Sequence, residues 1–96
     1  MRDMKKQAGE YRHLERVIKG FANHYRLKIL DLLQREPNLP IEEIAERLGT
    51  GYMNASDHLR KLAIAGMIIK RNEGSIVHHR LSPRALFVLD FCKKLK

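Results

Sequence analysis

Cysteine, tryptophan and long apolar runs are scarce or absent in this 96-residue sequence, which has one cysteine and no tryptophan. A single cysteine cannot form an internal disulfide or a metal cage made of cysteines alone, and it fits a reducing compartment. No apolar run approaches the length of a membrane span, and the segment from Met1 to Lys6 lacks the apolar centre of a signal peptide. We therefore expect a cytoplasmic protein with no membrane partner.

Patterns typical of enzymes are missing as well. The sequence has no glycine-rich phosphate loop and no nucleophile placed beside a general base. Ser56, Asp57 and His58 are consecutive, which is the wrong geometry for a catalytic triad on a helix. We therefore expect no enzymatic activity and no catalytic residues, and the residues identify no cofactor or small-molecule substrate.

Positive charge is what the sequence has in excess. It carries 19 Lys and Arg against 11 Asp and Glu, a net charge of +8 and an isoelectric point of about 10.0, which favours a polyanionic partner. The charge is uneven, because residues 60–84 carry six Lys/Arg against one acid whereas residues 29–59 carry two against six. The basic surface is therefore expected in residues 60–84 and in residues 1–28, which carry eight against three.

Hydrophobic periodicity, caps and turn residues predict a mainly α-helical domain with one small β-hairpin, occupying residues 1–96. Asn23 is a predicted N-cap, and Ser82-Pro83 combines an N-cap with proline at the first helical position. Five helices are predicted near residues 3–19, 23–35, 41–48, 52–65 and 83–94, with a hairpin at residues 68–71 and 75–80 and a short strand near Leu39.

The segment from Ile41 to Arg80 reads as two helices joined by a short glycine-containing turn and followed by a basic hairpin. A protein with this arrangement can enter one DNA groove and brace on the neighbouring phosphates. Helical spacing places His58 and Leu59 on the inward side of the second helix and Arg60 on the outward side. The segment predicts a winged helix-turn-helix, with His58 as a hydrogen-bonded structural residue.

The segment from about Phe21 to Arg84 also resembles the ArsR-type winged-helix transcriptional repressors. The residues that carry the resemblance are Phe21 to Leu30, Glu43 to Gly49, Ser56 to Leu62 with Ala65 to Ile68, and the wing from Arg71 to Leu81. Each motif alone is weak, but four motifs in this order with near-gapless spacing are specific. The resemblance implies a homodimeric transcriptional regulator, a repressor, that binds an operator with two-fold symmetry.

Metal sites of that family are not expected in this chain. Metal-sensing members place two cysteines at the start of the third helix, in positions held here by Pro40 and Glu42, and neither can be a thiolate ligand. His78 and His79 are neighbours on a predicted strand, so their rings point to opposite faces. We expect no metal ion, and we expect Cys92 to act as a small apolar residue rather than a redox sensor.

The residues that contact DNA are expected on the second helix of the motif and on the hairpin. Asn and Arg suit adenine and guanine edges by geometry, and basic hairpin residues suit phosphates or the minor groove. The predicted DNA-binding residues are Tyr52, Met53, Asn54, Ser56, Asp57, Arg60 and Lys61 on the helix, and Lys70, Arg71, Asn72, Ser75 and Arg80 on the hairpin.

The first and last predicted helices carry apolar stripes that exceed what one small chain can cover. Exposed apolar surface of that extent usually marks an interface, so both helices are expected to form a dimer contact. The predicted interface residues are Met4, Ala8, Tyr11, Leu14 and Ile18 on the first helix, and Leu86, Leu89, Cys92 and Leu95 on the last.

Two other functions stay open at this point. A winged-helix module that binds a protein is mildly favoured by the acidic balance of residues 29–59. Nonspecific, chromatin-like DNA binding is favoured by the net charge of +8 and by Met and Tyr at the reading positions. Specific binding to double-stranded DNA remains the first hypothesis, because the basic residues gather at the end of the recognition helix and in the wing.

Overall fold

A computed structural model of the chain describes Met4, Lys5 and residues 7–96. In that part the elements are α1 (Ala8–Phe21), α2 (His24–Arg35), β1 (Leu39–Pro40), α3 (Ile41–Leu48), α4 (Tyr52–Ile64), β2 (Ile68–Glu73), β3 (Ile76–Leu81) and α5 (Pro83–Lys94). The predicted fold class, five helices with one small hairpin, is confirmed. No helix in the described residues is long and apolar enough to cross a membrane.

The first helix differs from its prediction at both ends. Its predicted start near residue 3 lies outside the described residues, but Met4 and Lys5 form a turn and the helix begins at Ala8. It ends at Phe21 and so contains Gly20, although glycine is a poor helix former. Gly20 is tolerated because α1 crosses closely over the end of α4 at this position, so tertiary packing overrides local propensity.

The predicted cap of α2 is confirmed. Asn23 has an extended backbone, and its Oδ1 accepts hydrogen bonds from the backbone N–H groups of Tyr25 at 2.9 Å and Arg26 at 3.2 Å. These bonds satisfy two of the N–H groups that every helix start leaves without an intrahelical partner.

The three strands form an antiparallel sheet in the order β1-β3-β2. The predicted short strand near Leu39 is confirmed, because Leu39 pairs with His79 of β3. Strand β2 extends two residues beyond its predicted end at Arg71, since pairing with β3 continues to Glu73 opposite Ile76. The longer ladder extends the hairpin into a wing.

The core lies between α2, α3, α4 and α5 and below the base of the wing. Its fully buried side chains are Ile29, Leu30, Leu33, Ile44, Leu59, Leu62 and Met67. Because Leu59 and Leu62 belong to α4, the predicted inward side of that helix is confirmed, and its opposite side is left exposed. The core thereby fixes which face of α4 is free to contact a partner.

The predicted cap of α5 is confirmed and also ties α5 to the end of α4. Ser82 Oγ accepts a hydrogen bond from Ala85 N–H at 3.2 Å and donates one to the backbone oxygen of Gly66 at 2.6 Å. Arg84 Nη1 donates to the backbone oxygen of Ala65 at 3.0 Å. Both side chains hold the left-handed turn that ends α4.

Candidate nucleic-acid interface

A glycine turn sets the angle between α3 and α4. Gly49 ends α3 with φ at +67°, where its N–H donates to the backbone oxygen of Glu46 at 3.1 Å. The next N–H, of Thr50, donates to the oxygen of Ala45 at 3.1 Å. Glycine adopts this left-handed conformation without the steric cost that a Cβ would add. The chain then enters α4 at Tyr52, which completes the helix-turn-helix.

The side of α4 that was predicted to read bases is exposed. Met53 is 79% exposed and Tyr52 is 53% exposed. Asn54 and Arg60 are also exposed, while Ser56, Asp57 and Lys61 are half-buried. The predicted helix residues therefore all reach the surface, most fully at the N-terminal end that enters a groove in helix-turn-helix proteins.

Asp57 holds two of the predicted DNA-binding cations. Its Oδ1 accepts a hydrogen bond from Arg60 Nη2 at 2.6 Å, and its Oδ2 lies 3.1 Å from Lys61 Nζ. The hydrogen bond from Arg60, and then the one from Lys61, hold the pKa of Asp57 below its usual value. Such exposed pairs contribute little to stability. Their effect is to orient the Arg60 guanidinium along the outer face of α4.

On the inward side of α4, His58 makes the structural contact that was predicted for it. Arg26 Nε donates to His58 Nδ1 at 3.2 Å, and the Tyr25 ring stacks on the imidazole at 5.6 Å between centroids. Burial, and then the nearby Arg26 charge, lowers the pKa of His58. Arg26 Nη1 also donates to the backbone oxygens of Lys19 and Gly20. Arg26 thus joins the end of α1 to α4.

The predicted wing residues do not form one surface. Lys70 and Asn72 face α4, whereas Arg71 pairs across the strands with His78. Successive side chains in a strand point to opposite faces, so Arg71 and Arg80 share the outer face of the wing. The sequence placed these residues on one hairpin correctly, but only the strand register separates them into two groups.

Glu73 is a wing residue whose pairing with Arg71 and His78 was not predicted from the sequence. Its Oε1 lies 3.5 Å from Arg71 Nε and its Oε2 lies 3.4 Å from His78 Nδ1. The sequence signal was the isolated acid within a basic hairpin. Glu73 partly offsets the charge of Arg71, so Arg71 is a weaker phosphate ligand than its position suggests.

A cleft of about 540 Å³ separates α4 from the wing. Its lining includes five of the predicted DNA-binding residues, which are Tyr52, Ser56, Lys70, Asn72 and Ser75. The remaining predicted residues, Met53, Asn54, Asp57, Arg60, Lys61, Arg71 and Arg80, lie outside the cleft lining. The structure thus brings the recognition helix and one face of the wing together around a shared space.

His79 anchors the wing beneath this cleft. Its side chain is 4% exposed, and Nδ1 donates to the backbone oxygen of Leu39 at 3.1 Å. Burial lowers the pKa of His79, and the hydrogen bond to Leu39 offsets only part of that effect. Within the described residues, no three His, Cys, Asp or Glu side chains are grouped in a way that could hold a metal ion.

A second exposed surface is apolar and lies on α1 and α5; we call it the α1–α5 face. Its members are Tyr11, Leu14 and Ile18 of α1, Leu86, Phe87 and Phe91 of α5, and Leu95 directly after α5, each 48% exposed or more. Phe87 is the most exposed at 78% and was missing from the predicted interface, although its spacing from Phe91 is that of one helix face.

The prediction was wrong for Leu89. This side chain is 6% exposed and belongs to the core cluster of the single chain, because it faces inward on α5 while Leu86 faces outward. Cys92 is half-buried and packs against the same core.

Two more of the predicted interface residues lie near the start of α1. Met4 is 65% exposed and Ala8 is half-buried. Tyr11 Oη donates to the Sδ of Met4 at 3.7 Å.

Comparison with known proteins agrees with this geometry. Residues 23–69, from the N-cap of α2 to the start of the wing, match the winged helix-turn-helix DNA-binding family. The chain carries a winged helix-turn-helix DNA-binding domain. The family is a DNA-binding module rather than a class of enzymes, and the matched segment includes the whole of α3, the glycine turn and α4.

Relatives of this winged helix-turn-helix chain include transcriptional regulators. It is 37% identical over 67 residues to the HTH-type transcriptional regulator Rv0324 of Mycobacterium tuberculosis, and the match covers 70% of this chain. The chain spans only 29% of the length of that relative.

Solved structures are similar over almost the whole chain. The homodimeric winged helix-turn-helix DNA-binding domain of Mb0332 from Mycobacterium bovis, a possible ArsR-family transcriptional regulator, has 27% identity and a TM-score of 0.84, covering 99% of this chain and 88% of that one. The AntR antimony-specific transcriptional repressor has 28% identity and a TM-score of 0.73, covering 98% and 85%. The predicted resemblance to ArsR-type regulators is confirmed.

Proposed function

We propose that this protein is a homodimeric transcriptional repressor that binds double-stranded DNA of a specific sequence. In this proposal residues 1–96 form one cytoplasmic winged helix-turn-helix domain that dimerises through its first and last helices. The observation that carries the proposal is the exposed outer face of α4 beside the wing, across a cleft of about 540 Å³. Asn54, Arg60 and Lys70 are exposed there, and Glu42 is the acidic residue in the lining of the cleft.

Sequence reading is assigned to the outer face of α4. Asn54 and Arg60 are exposed there, and such side chains pair with adenine and guanine edges in the major groove. Arg60 is already oriented by Asp57 at 2.6 Å, which lowers the entropy cost of placing it on a base. Asp57 is expected to position Arg60 rather than to accept from a cytosine.

Phosphate binding is assigned mainly to the cleft side of the wing. Lys70, Asn72 and Ser75 are exposed and line the cleft beside Tyr52 and Ser56. Donor groups around such a space suit the oxygens of a DNA strand whose groove is occupied by α4. Arg71 and Arg80, on the outer face of the wing, are proposed to contact phosphates or the minor groove farther along the duplex.

Dimerisation is supported by the α1–α5 face. Large apolar side chains such as Phe87 and Leu95 are mostly exposed in the single chain, and exposed clusters of this kind mark interfaces. The similar domain of Mb0332 is described as homodimeric. A two-fold dimer would place two recognition helices about 34 Å apart, so that each enters a major groove on one side of the duplex.

Repression is supported by the similarity to AntR, which is described as a transcriptional repressor. Physically, a dimer that covers two successive major grooves excludes other proteins from the same DNA.

The test is a selection of bound duplexes from a random pool, followed by affinity measurements on the selected duplex and a scrambled one. Specific binding should exceed nonspecific binding by roughly 10³-fold or more at physiological salt. Equal affinity for both duplexes would favour chromatin-like coating of DNA. Absence of duplex binding at low salt would favour the protein-interaction module, and either result would overturn the proposal.

A further inference from the structure

We infer that a groove between α1 and α4 binds a small amphipathic anion, an organic acid with an apolar flank, and that ligand binding in this groove changes the orientation of α4. The groove measures about 540 Å³, and its lining includes His13, Arg16, Lys19, Arg26, Lys61 and Ile64. Its volume lies in the range of about 300–1,000 Å³ that small-molecule sites usually have.

The positive charge of the groove lining favours an anion as the ligand. Five of the lining residues are His, Lys or Arg, and no Asp or Glu is among them. Two nearby acids hold cations at the groove edge, because Glu15 lies 3.4 Å from Lys19 Nζ and Asp57 lies 3.1 Å from Lys61 Nζ. Arg16 has an exposed side chain on the wall of the groove and is the principal candidate to receive a carboxylate.

The apolar part of the lining selects an amphipathic molecule rather than an inorganic ion. Ile64 is 76% exposed at the end of α4, and Val17 and Ala65 line the same groove. Covering an exposed isoleucine with an apolar flank removes apolar area from water on both molecules. A free phosphate would satisfy the charge but would leave this surface uncovered.

The groove is distant from the end of α4 that is proposed to enter DNA. Helix α4 has 13 residues, so at about 1.5 Å per residue Ile64 lies roughly 18 Å along the axis from Tyr52. Lys61 also belongs to the proposed DNA-binding residues, but His13, Arg16 and Lys19 belong to α1, and phosphates beside the N-terminal end of α4 do not account for them. These α1 residues favour a separate small ligand as the occupant.

The position of the groove gives the ligand a mechanical effect. Gly20 of α1 rests directly on Ala65 at the end of α4, so the helices touch at one side of the groove and diverge across it. A molecule wedged in the groove would tilt α4 about this contact. The effect on DNA rests on the proposed function, in which α1 belongs to the dimer face and α4 reads bases, whereas binding of the anion does not.

Binding is tested first without DNA, by calorimetry with 1-naphthoate as the probe and with 1-naphthalenemethanol and inorganic phosphate as comparators. Naphthoate should bind, and each comparator should bind at least about tenfold more weakly. Arg16→Gln and Ile64→Ser change exposed side chains of the groove and should each weaken naphthoate binding about fivefold or more. Arg12→Gln, an exposed change on α1 outside the groove lining, should leave it unchanged.

A second measurement locates the probe and reads the coupling. Methyl NMR shifts on adding naphthoate should be largest at Ile64 and Val17, and saturating naphthoate should change affinity for the selected duplex by about fivefold or more. The inference is overturned if naphthoate fails to bind, if phosphate binds as well, or if the methyl shifts centre on Leu14 and Ile18 of the α1–α5 face. Unchanged duplex affinity with naphthoate bound would overturn the coupling, whereas failure of duplex binding itself would count only against the proposed function.

Discussion

Gly20 of α1 packs directly against Ala65, the C-cap of α4, because a Cβ built on Gly20 would lie 2.5 Å from the Cβ of Ala65. A separation below 3.0 Å forces the backbones apart, and Ala65 is buried and cannot turn away. The contact therefore fixes how α1 is placed over the end of α4.

Gly20→Ala should lower the free energy of unfolding despite the higher helix propensity of alanine. Overpacking typically costs about 1–3 kcal/mol, which outweighs a propensity gain of roughly 0.5–1 kcal/mol. Urea unfolding followed by circular dichroism measures the difference. Gly9→Ala is the matched control, since Gly9 lies in the same helix and a methyl group added there would meet nothing within 4 Å; this variant should be as stable as the parent or more stable.

Lys70→Ala and Arg60→Ala should weaken DNA binding in different ways. Lys70→Ala removes a proposed phosphate contact. This variant should lose affinity about equally on selected and scrambled duplexes, and the slope of log K against log salt should become flatter by about one unit. Arg60→Ala removes a proposed base contact and should cost on the order of 1–3 kcal/mol of binding free energy on the selected duplex alone. Fluorescence anisotropy across a salt series measures both.

An exposed lysine elsewhere provides the control for that experiment. Lys94→Ala removes a charge from the end of α5, where the ammonium lies 3.5 Å from Asp90, and should affect neither quantity. If Lys70→Ala and Arg60→Ala also bound both duplexes like the parent, the assigned DNA face would be incorrect.

The fold was predictable where signals are local, and the errors lie where tertiary contacts decide. Asn23 and Ser82 were recognised as caps because capping depends on neighbouring backbone groups. The end of α1 was misplaced because only the distant Ala65 makes Gly20 acceptable in a helix. Leu89 was assigned to the dimer surface because helical spacing identifies an apolar stripe but does not say whether the chain's own core covers it.

The candidate site follows the same division. The outer face of α4 could be predicted, because a helical period of 3.6 residues places Leu59 on the inward side and Arg60 on the outward side. The division of Lys70 and Arg71 between two faces of the wing required the register with β3. The role of Glu73 required side-chain distances. Sequence therefore identified the segments of the proposed interface, and the structure shows which of their residues lie together.

Stability should fall as the pH decreases below about 6.5, the usual histidine pKa. Burial lowers the pKa of His79 in the folded protein, so the unfolded chain takes up its proton first and folding becomes less favourable. The loss begins at the unfolded pKa and stops once the pH is below the folded pKa, where both states are protonated. Urea unfolding measured from about pH 7.5 to about pH 5 tests this dependence.

His79→Asn is the informative variant, because its amide can still donate toward Leu39 but does not titrate. It should reduce the loss of stability on acidification, even if it is less stable at neutral pH. His13→Gln removes an exposed imidazole from α1 and should retain the loss. An unchanged pH dependence in His79→Asn would show that another group controls acid stability.

Phe87→Glu should produce monomers that remain folded, and so test the proposed dimer more cleanly than any change at Leu89. Phe87 is 78% exposed in the single chain, so a carboxylate there is solvated in the monomer but would be buried without a partner in a dimer.

Leu89→Ala should instead destabilise the single chain by about 2–5 kcal/mol, because it leaves a cavity in the core. Gln34→Glu, which adds the same charge at an exposed position of α2, outside the α1–α5 face, is the charge control. Sedimentation at micromolar concentration, with circular dichroism to confirm folding, should show a dimeric parent and control and a folded, monomeric Phe87→Glu with weaker binding to the selected duplex. A parent that sediments as a monomer would refute the arrangement, and a dimeric Phe87→Glu would place the interface elsewhere.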